Sequence, residues 1–492
     1  MRDDLDFSQP LTCDVAIAGA GLAGLVAGAI LTRHGQRVLV VDRNPEVGGR
    51  GGSTPHRGYR LDGGWRDGWD VTDLQVGWRH GQLAAREARV DVPLRIVKPV
   101  VRVHHLPEPP SADEGTVVVG RWGARGFLDL ARDGFGCPET RIGDFAKVLA
   151  RIAGASAEER RAAVPIPLSE WLEATVPEPE VRRAILTMVS VIYCEFPERA
   201  STGRLMGFLA DRPDLPKLQT AFPDHEEIGG MQGLIQPWAD AIEAGGGRIL
   251  LGLEPAQVTF EGTRVTGLVA RDESHLVLEV RAPAVVLAAP LWEALPLIPS
   301  ERIDPELAQL ARALEEEQAD AICWQAGLTR IPRLRSTGES EGHVGWNRVL
   351  IGPGRRYAGG FQLPSLASRR SAPAGRHLLH AFIGRWLKRE QSPPWAESRE
   401  AITHMIDYLK HFYLDLEECI EWSAIQWIQR PACLAWYWAT IVRHGIRAPG
   451  CDGLYLGSTT LESDAGPVDI AAHAGLEAAH AILADTGPSD AG

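Results

Sequence analysis

The chain has 492 residues and a formal net charge of −13, with hydrophobic and charged contents of 45% and 23% that are ordinary for a soluble globular protein. A single hydrophobic core does not extend over this length, so two interleaved domains are expected. The acidic balance argues against nucleic acid as a partner and gives no support to membrane contact through anionic lipid.

The seven cysteines are scattered, without a C-x-x-C pair or a His/Cys cluster. The sequence therefore indicates no zinc or iron–sulfur site, and no metal ligand is assigned. The odd number and wide spacing suit a reducing compartment. Residues 1–12 contain three aspartates and no apolar core, unlike a signal peptide. A cytoplasmic location is expected.

The first informative stretch is an apolar strand, residues 15–18, followed by three glycines in G-x-G-x-x-G spacing. In a dinucleotide-binding unit Gly19 allows the tight turn, Gly21 lets the pyrophosphate approach the backbone, and Gly24 lets the next helix pack on the sheet. The free N–H groups at the start of that helix are expected to hold the phosphates.

A second buried strand, residues 37–41, is followed by Asp42 and Arg43, both assigned to the cofactor. Asp42 lies 23 positions after Gly19, close to the ~20 expected for the acid that binds the ribose hydroxyls. A carboxylate here would repel a 2′-phosphate, which disfavours NADP. A glycine-rich helix-packing segment and a membrane span are the alternatives, but the span is too short and the strand–turn–helix–strand–Asp order favours nucleotide binding.

Gly49 and Arg50 follow the ribose-binding acid after a short turn. Arg50 is thus placed to return to the cofactor phosphates. From Asp14 onward the sequence, with "DRNPEVGGRGGS" and "GYRLDGGW", resembles the phytoene desaturase and flavin-containing amine oxidase superfamily. The resemblance implies FAD rather than NAD. It also implies that Gly64 and Trp65 lie beside the isoalloxazine, although a plain turn with a packed Trp65 is an equal alternative.

The fold class implied is α/β: a Rossmann-like FAD-binding domain of the GR2 type, interleaved with an α+β substrate-binding domain. The FAD-binding domain is expected to be discontinuous, over residues 1–80, 225–300 and 432–492. Residues 81–224 and 301–431 are assigned to the substrate-binding domain. Within it, residues 144–163 and 178–194 are predicted to be helices, the second with an apolar stripe.

A second informative block begins at residue 229. A helix over 234–244 ends at three glycines, and a strand over 248–251 follows. Residues 257–260, 265–270 and 276–280 alternate as a three-stranded meander, and 284–289 is a short buried strand. The superfamily resemblance implies that these elements complete the sheet begun at residue 14, and that the backbone of Val258 lies against the adenine.

Residues 291–431 contain few motifs. Helices are predicted over 305–317 and 398–414. Residues 330–375 are irregular, which indicates either strands without a clear pattern or a lid.

The last block has a strand over 454–457 and a helix from 464 to 483. The resemblance implies that Gly457 and Ser458 contact the ribityl–phosphate region. It places the start of the helix, from Gly466 to Val468, at the O2/N1 edge of the flavin, where a positive helix end would stabilise negative charge. The superfamily often has an acidic residue at the position of Ser458.

Trp436 and Tyr437 are the candidate catalytic residues, because the resemblance implies an aromatic cage from this part of the chain; packing in the core is an equal alternative. Asp469 and His473, in the final helix, are candidate polar groups near the flavin, but solvent exposure or structural hydrogen bonding is favoured for each. No lysine is identifiable as the one that holds water near N5 in many amine oxidases. This favours a desaturase or dehydrogenase acting on a small apolar or aromatic substrate.

Two alternatives stay open: an amine oxidase of the same fold that uses O2, and a non-catalytic prenyl-binding escort protein. The intact glycine, Asp42 and Arg50 set argues against the escort. The electron acceptor is undetermined, O2 and a quinone both being compatible with the sequence.

Overall fold

The structure is a computed structural model that describes residues 7–62, 78–97, 100–106, 116–121, 128–193, 200–210, 220–316, 319–351, 357–368, 370–386, 395–428, 443–463 and 468–486. The strands, in chain order, are β1 (Leu11–Thr12), β2 (Val15–Ala18), β3 (Val38–Asp42), β4 (Ser53–His56), β5 (Tyr59–Asp62), β6 (Leu94–Val97), β7 (Val100–Leu106), β8 (Thr116–Arg121), β9 (Thr220–Pro223), β10 (Arg248–Leu251), β11 (Glu254–Glu261), β12 (Arg264–Arg271), β13 (Val277–Arg281), β14 (Ala284–Leu287), β15 (Ala319–Leu328), β16 (Trp346–Ile351), β17 (Tyr357–Gln362), β18 (His377–Trp386), β19 (Ile420–Ile428) and β20 (Leu454–Tyr455).

The α-helices of these ranges are α1 (Leu22–Arg33), α2 (Arg79–Ala88), α3 (Ile142–Ala153), α4 (Ala157–Ala163), α5 (Leu168–Thr175), α6 (Pro179–Tyr193), α7 (Thr202–Ala210), α8 (Gln232–Ala244), α9 (Leu291–Ala294), α10 (Pro305–Glu316), α11 (Trp395–Phe412), α12 (Leu416–Cys419) and α13 (Asp469–Thr486). Within the described residues, none of these helices is both long and apolar enough to cross a membrane.

A five-stranded parallel sheet with the order β10-β3-β2-β14-β20 holds the first glycine turn. Its strands are buried on both faces, as expected for parallel strands. Val15 and Ile17 pack with α1, α8 and α13, whereas Ala16 and Ala18 face a second apolar cluster that includes the meander strands. The α/β fold class is therefore confirmed.

The meander was expected to complete this sheet, and that expectation is wrong. Strands β11, β12 and β13 form a separate four-stranded sheet with β1, in the order β1-β13-β12-β11. Only β10 before the meander and β14 after it join the parallel sheet. The alternating burial of β13 requires one apolar and one polar face, whereas the parallel sheet buries both.

Residues 144–163 form two helices rather than one. Helix α3 ends at Ala153, just before Gly154, and α4 begins after Ser156. The Ser156 hydroxyl accepts a hydrogen bond from the Glu159 amide, and the Glu159 carboxylate accepts one from the Ser156 amide. This reciprocal cap satisfies two amides at the start of α4, so a new helix begins here.

A mixed seven-stranded sheet, β19-β15-β18-β17-β16-β7-β8, forms the second large layer. Strands β16 and β17 lie within residues 330–375, for which the sequence indicated either strands or a lid, so part of this segment is strand. Helix α11 covers one face, where Met405 and Leu409 contact a cluster that includes Trp324. Helices α3 to α7 pack on the opposite face near Val101 and Val103.

Candidate functional site

The site lies where the carboxyl ends of the parallel strands meet. Strand β2 ends at Ala18, β3 at Asp42, and β14 leads to Ala288, and all three residues line one cavity. Crevices at the carboxyl ends of parallel strands are where open α/β sheets bind ligands. Three strands thus bring together residues that are up to 270 positions apart in the chain.

The three glycines of the first turn have different surroundings. Gly19 has a φ of +118°, and a Cβ there would lie 2.9 Å from the carbonyl oxygen of Ala288. At Gly24 a Cβ would lie 2.0 Å from the Gly19 carbonyl oxygen, so this position serves packing of α1. At Gly21 a Cβ would have no neighbour within 4 Å, and Gly21 lines the cavity. The backbone at Gly21 is therefore open to a ligand.

The second glycine turn lies directly against the first. Gly48 and Gly49 have φ values of +118° and +53°, in the left-handed region that favours glycine. The Gly48 amide donates to the carbonyl of Ala20 at 2.8 Å. A Cβ at Gly49 would lie 3.4 Å from the Cα of Gly21. Arg50 follows and lines the same cavity.

Asp42 fixes the shape of the first turn. One of its carboxylate oxygens accepts a 2.6 Å hydrogen bond from the Ala20 amide, and the other accepts from the Asn44 amide at 2.7 Å and its side-chain Nδ2 at 2.8 Å. The residue lines the cavity although it is only 7% exposed. A carboxylate accepts about four hydrogen bonds, so it retains capacity for a ribose hydroxyl.

A buried polar group that the sequence did not reveal supports the second turn. The Gln232 side chain donates to the Val47 carbonyl at 3.1 Å, and its backbone amide donates to the Ser53 hydroxyl at 3.0 Å. Ser53 in turn donates to the Asp62 carboxylate, which also accepts from the Met231 amide at 3.0 Å. These bonds fix the start of α8 to the β4–β5 hairpin. The partners lie far apart in the chain, so no local sequence pattern predicts their contact.

The cavity has a volume of about 630 Å³, within the roughly 300–1,000 Å³ of small-molecule sites. It joins the two glycine turns near the N-terminus with residues near the C-terminus, as the sequence predicts. From the N-terminal part it includes Gly19, Gly21, Asp42, Arg43, Gly49 and Arg50; from the C-terminal part, Ser458, Thr459, Val468 and Ala471; and from the intervening elements, Met231, Ile235, Glu254, Pro255, Trp292 and Glu293.

Ser458 is held by a chain of hydroxyl contacts. Its Oγ lies 2.7 Å from the Thr460 hydroxyl, which lies 2.7 Å from Nε2 of His444. Burial lowers the pKa of His444 to about 4, so the ring is neutral at pH 7. Gly457 does not line the cavity in the structure. A Cβ there would lie 3.1 Å from Val286, so it serves close packing on β14.

The structure places Val258 beside the cavity-lining part of β11. Val258 is 1% exposed, within the apolar cluster between the two sheets. Glu254 and Pro255, at the start of the same strand, are the cavity-lining residues instead. Val258 itself does not line the cavity, so the contact of its backbone with the adenine stays a prediction.

Five predicted site residues lie outside the described residues: Gly64, Trp65, Trp436, Tyr437 and Gly466. Their assignment to the flavin ring or to the aromatic cage stays a prediction.

Asp469 and His473 form structural contacts. Asp469 is the first residue of α13, and its carboxylate accepts from the Gly81 amide at 2.9 Å and contacts Nδ1 of His80 at 2.8 Å. His473 Nδ1 lies 2.7 Å from the Ser463 hydroxyl. The two histidine rings are 4.1 Å apart. Val468, immediately before α13, lines the cavity, so these contacts position the helix end beside it.

Comparison with known proteins agrees with this geometry. The family described as "NAD(P)-binding Rossmann-like domain" matches residues 17–73. A limonene dehydrogenase component from Castellaniella defragrans is 44% identical over 55 residues, which is 11% of this chain and 10% of that protein. The match thus spans about a tenth of that relative's length.

Solved structures match along nearly the whole chain. An oxidoreductase from Methanosarcina mazei has a TM-score of 0.68 at 16% identity, covering 96% of this chain and 100% of that one. A putrescine oxidase variant has a TM-score of 0.64 at 16% identity, covering 97% and 100%. The chain has the fold of FAD-dependent oxidoreductases. A Rab GDI from Plasmodium falciparum also matches, at a TM-score of 0.52 and 11% identity, covering 96% and 98%.

The residues of the cavity fit FAD. Gly21 leaves open backbone where the pyrophosphate is expected, Asp42 lies where a ribose is expected, and Arg50 supplies positive charge. The comparisons show the fold, and the cavity provides the residues that a dinucleotide cofactor would contact.

Proposed function

We propose that the protein is an FAD-dependent dehydrogenase or desaturase that removes a hydride from an apolar organic substrate. The observation that carries the proposal is the single cavity shared by the two glycine turns and the residues around Ser458 and Val468. A dinucleotide long enough to contact both ends of the chain is the ligand that this arrangement suits best.

The redox chemistry would come from a bound flavin, as the acceptor of a hydride at N5. The chain binds and orients it: the turn at Gly21 and the start of α1 provide free N–H groups for the phosphates. At the other end Val468 precedes the N-terminus of α13, whose positive dipole end favours negative charge on the ligand.

The positions of the described lysines favour a dehydrogenase over an amine oxidase. Of the described residues, only Lys147 and Lys410 are lysines, and neither lines the cavity. Each makes a 3.0 Å ion pair with a surface carboxylate, Asp144 and Glu417 respectively. The described residues thus offer no lysine to hold a water near the flavin.

The amine oxidase stays a second candidate because putrescine oxidase is among the similar structures. Anaerobic flavin absorbance distinguishes the two. The purified protein should be yellow, and an isoprenoid or a cyclic ketone should bleach it without oxygen, whereas the diamine putrescine should not. Free FAD mixed with each compound is the control. Bleaching by putrescine alone would establish the amine oxidase instead.

A colourless protein that stays colourless after FAD is added would contradict both enzyme assignments and favour the escort protein. Re-oxidation of the bleached enzyme by air or by a soluble quinone then identifies the electron acceptor.

A further inference from the structure

The seven-stranded sheet carries a row of buried polar side chains on one face. Gln325 of β15 pairs directly with His380 of β18, which pairs directly with Gln362 of β17. The three residues are only 1%, 3% and 7% exposed. Directly paired residues on adjacent strands project to the same face, so these side chains are neighbours.

This face is the one that α11 does not cover. The residues next along the strands, Trp324, Ala381 and Phe361, belong to the apolar cluster beneath α11. Because successive side chains of a strand alternate between faces, Gln325, His380 and Gln362 point the other way.

Two polar atoms of the row have no hydrogen-bond partner. Gln325 donates through Nε2 to Oε1 of Gln426 at 3.0 Å, but its own Oε1 has no partner. Nε2 of Gln362 also has none. Buried polar atoms are nearly always hydrogen-bonded, because leaving one unpaired loses its hydration without replacement. The acceptor Oε1 of Gln325 on one side of His380 and the donor Nε2 of Gln362 on the other therefore both lack a hydrogen-bond partner.

The face borders the cofactor-binding elements. Gly327 lies two residues after Gln325 in β15 and faces the same way. Trp422 of β19 pairs with Gly327, and its ring packs against that glycine. The Trp422 ring lies 5.0 Å from that of Tyr59 in the β4–β5 hairpin. The same hairpin ends at Asp62, which binds the amide of the cavity residue Met231. The polar row is thus one row of side chains from the hairpin that supports the FAD cavity.

The charge and the polar atoms of the row disfavour an ammonium ligand, because an ammonium cannot accept a hydrogen bond from Nε2 of Gln362. Arg348 of β16 pairs with Gly360, two residues before Gln362, and projects from this face on the side away from Trp422. Its Nε donates to the Val191 carbonyl at 2.8 Å. Burial lowers the pKa of Arg348 to about 9, so it is still charged at pH 7. The carboxylate of Glu421, which precedes Trp422 in β19, accepts from the Tyr59 hydroxyl and, at 3.1 Å, from Nε of Arg376, so it is already paired.

We propose that Gln325 and Gln362 bind a neutral hydroxyl group of the substrate. The hydroxyl would donate to Oε1 of Gln325 and accept from Nε2 of Gln362, which satisfies both unpartnered atoms. The inference rests on the proposed function and refines its substrate: an apolar molecule with an alcohol group, and not an amine.

Cyclohexanol and cyclohexylamine are a matched pair of probes, since they differ in shape very little and cyclohexylamine is an ammonium ion at pH 7. Each is titrated without oxygen into the FAD-loaded enzyme, and the shift of the flavin absorbance gives the dissociation constant. Cyclohexanol is expected to bind at least about fivefold more tightly, the contribution of an ordinary neutral hydrogen bond or two.

Gln325→Met and Gln362→Met keep the side-chain volume and remove the polar atoms. Each should weaken cyclohexanol binding about fivefold and leave cyclohexylamine unchanged. Without probe, each variant should melt at the same temperature as the parent or higher, because an unpaired buried polar atom is gone. Gln309→Met, on the exposed surface of α10, is the control and should change neither value.

Equal affinity for the two probes, no shift with cyclohexanol up to its solubility, or unchanged cyclohexanol binding in both variants would overturn the inference. So would a lower melting temperature in both variants, which would mean that the amides support the fold. Each of these results leaves the proposed function standing as long as the parent protein is yellow. A protein that takes up no FAD would instead sink the proposed function itself.

Discussion

Gly21 and Gly24 lie three residues apart in one turn, yet their surroundings give them opposite roles. A Cβ at Gly24 would overlap the Gly19 carbonyl oxygen at 2.0 Å and approach Ala288 at 3.1 Å. A Cβ at Gly21 would meet nothing and would occupy the space that the cofactor phosphates require. One position is needed by the fold and the other by the ligand.

Gly24→Ala should therefore destabilise the protein even without FAD. Overpacking costs about 1–3 kcal/mol, more than the gain of up to about 1 kcal/mol that alanine brings to a helix. Gly21→Ala should melt at the parent temperature after FAD is removed, but should bind FAD at least about tenfold more weakly. Thermal unfolding and quenching of FAD fluorescence measure the two effects. Parent-like FAD affinity in Gly21→Ala would contradict the proposed position of the phosphates.

At the scale of elements, helix α2 is capped by a residue almost 400 positions away. Its own N-cap residue, Trp78, provides no side-chain hydrogen bond. The fully buried carboxylate of Asp469 accepts from the Gly81 amide and from the backbone and ring of His80 instead. One carboxylate thus joins the starts of α2 and α13 beside the cavity residue Val468.

Asp469→Ala should lower the free energy of unfolding by about 1–3 kcal/mol, because a cap is lost and buried donors are left unpaired. Amide hydrogen exchange at the start of α2 should accelerate. Asp304→Ala is the matched control: Asp304 caps α10 locally, through a 2.9 Å bond from the Leu307 amide. That variant should leave exchange in α2 unchanged. Unaltered exchange in Asp469→Ala would show that the cap is not needed.

At the scale of the whole molecule, buried neutral histidines make stability depend on pH. His104 is fully buried between Tyr408 and Asn347, and burial lowers its pKa to about 3. In the unfolded chain its pKa is about 6.5. Between these two values the unfolded state binds a proton that the folded state does not, so stability falls as pH falls.

For His104 this loss amounts to about 2 kcal/mol at pH 5 relative to pH 7. Urea unfolding at the two pH values should show a smaller loss in His104→Gln than in the parent. The replacement cannot titrate but retains a donor and an acceptor. His480→Gln is the control, because the His480 side chain is 49% exposed and should not change the difference. A parent-sized loss in His104→Gln would mean that other groups cause the acid sensitivity.

Local patterns in the sequence determined the elements that form the cofactor cavity. Strands β2 and β10 begin and end at the predicted residues, because a short, mostly apolar run bounded by glycine or a charged residue predicts a strand by itself. The spacing of Gly19, Gly21 and Gly24 with Asp42 fixed the turn and its ligand class, since each depends on neighbours within one strand–helix–strand unit.

Only the tertiary structure decided which distant residues meet. The separate sheet of the meander, the capping of α2 by Asp469 and the bond from Gln232 to the Val47 carbonyl all depend on contacts between segments far apart in the chain. The row formed by Gln325 and Gln362 arises in the same way. Strand pairing places side chains from three strands side by side, and no period within a single strand records which strands will be neighbours.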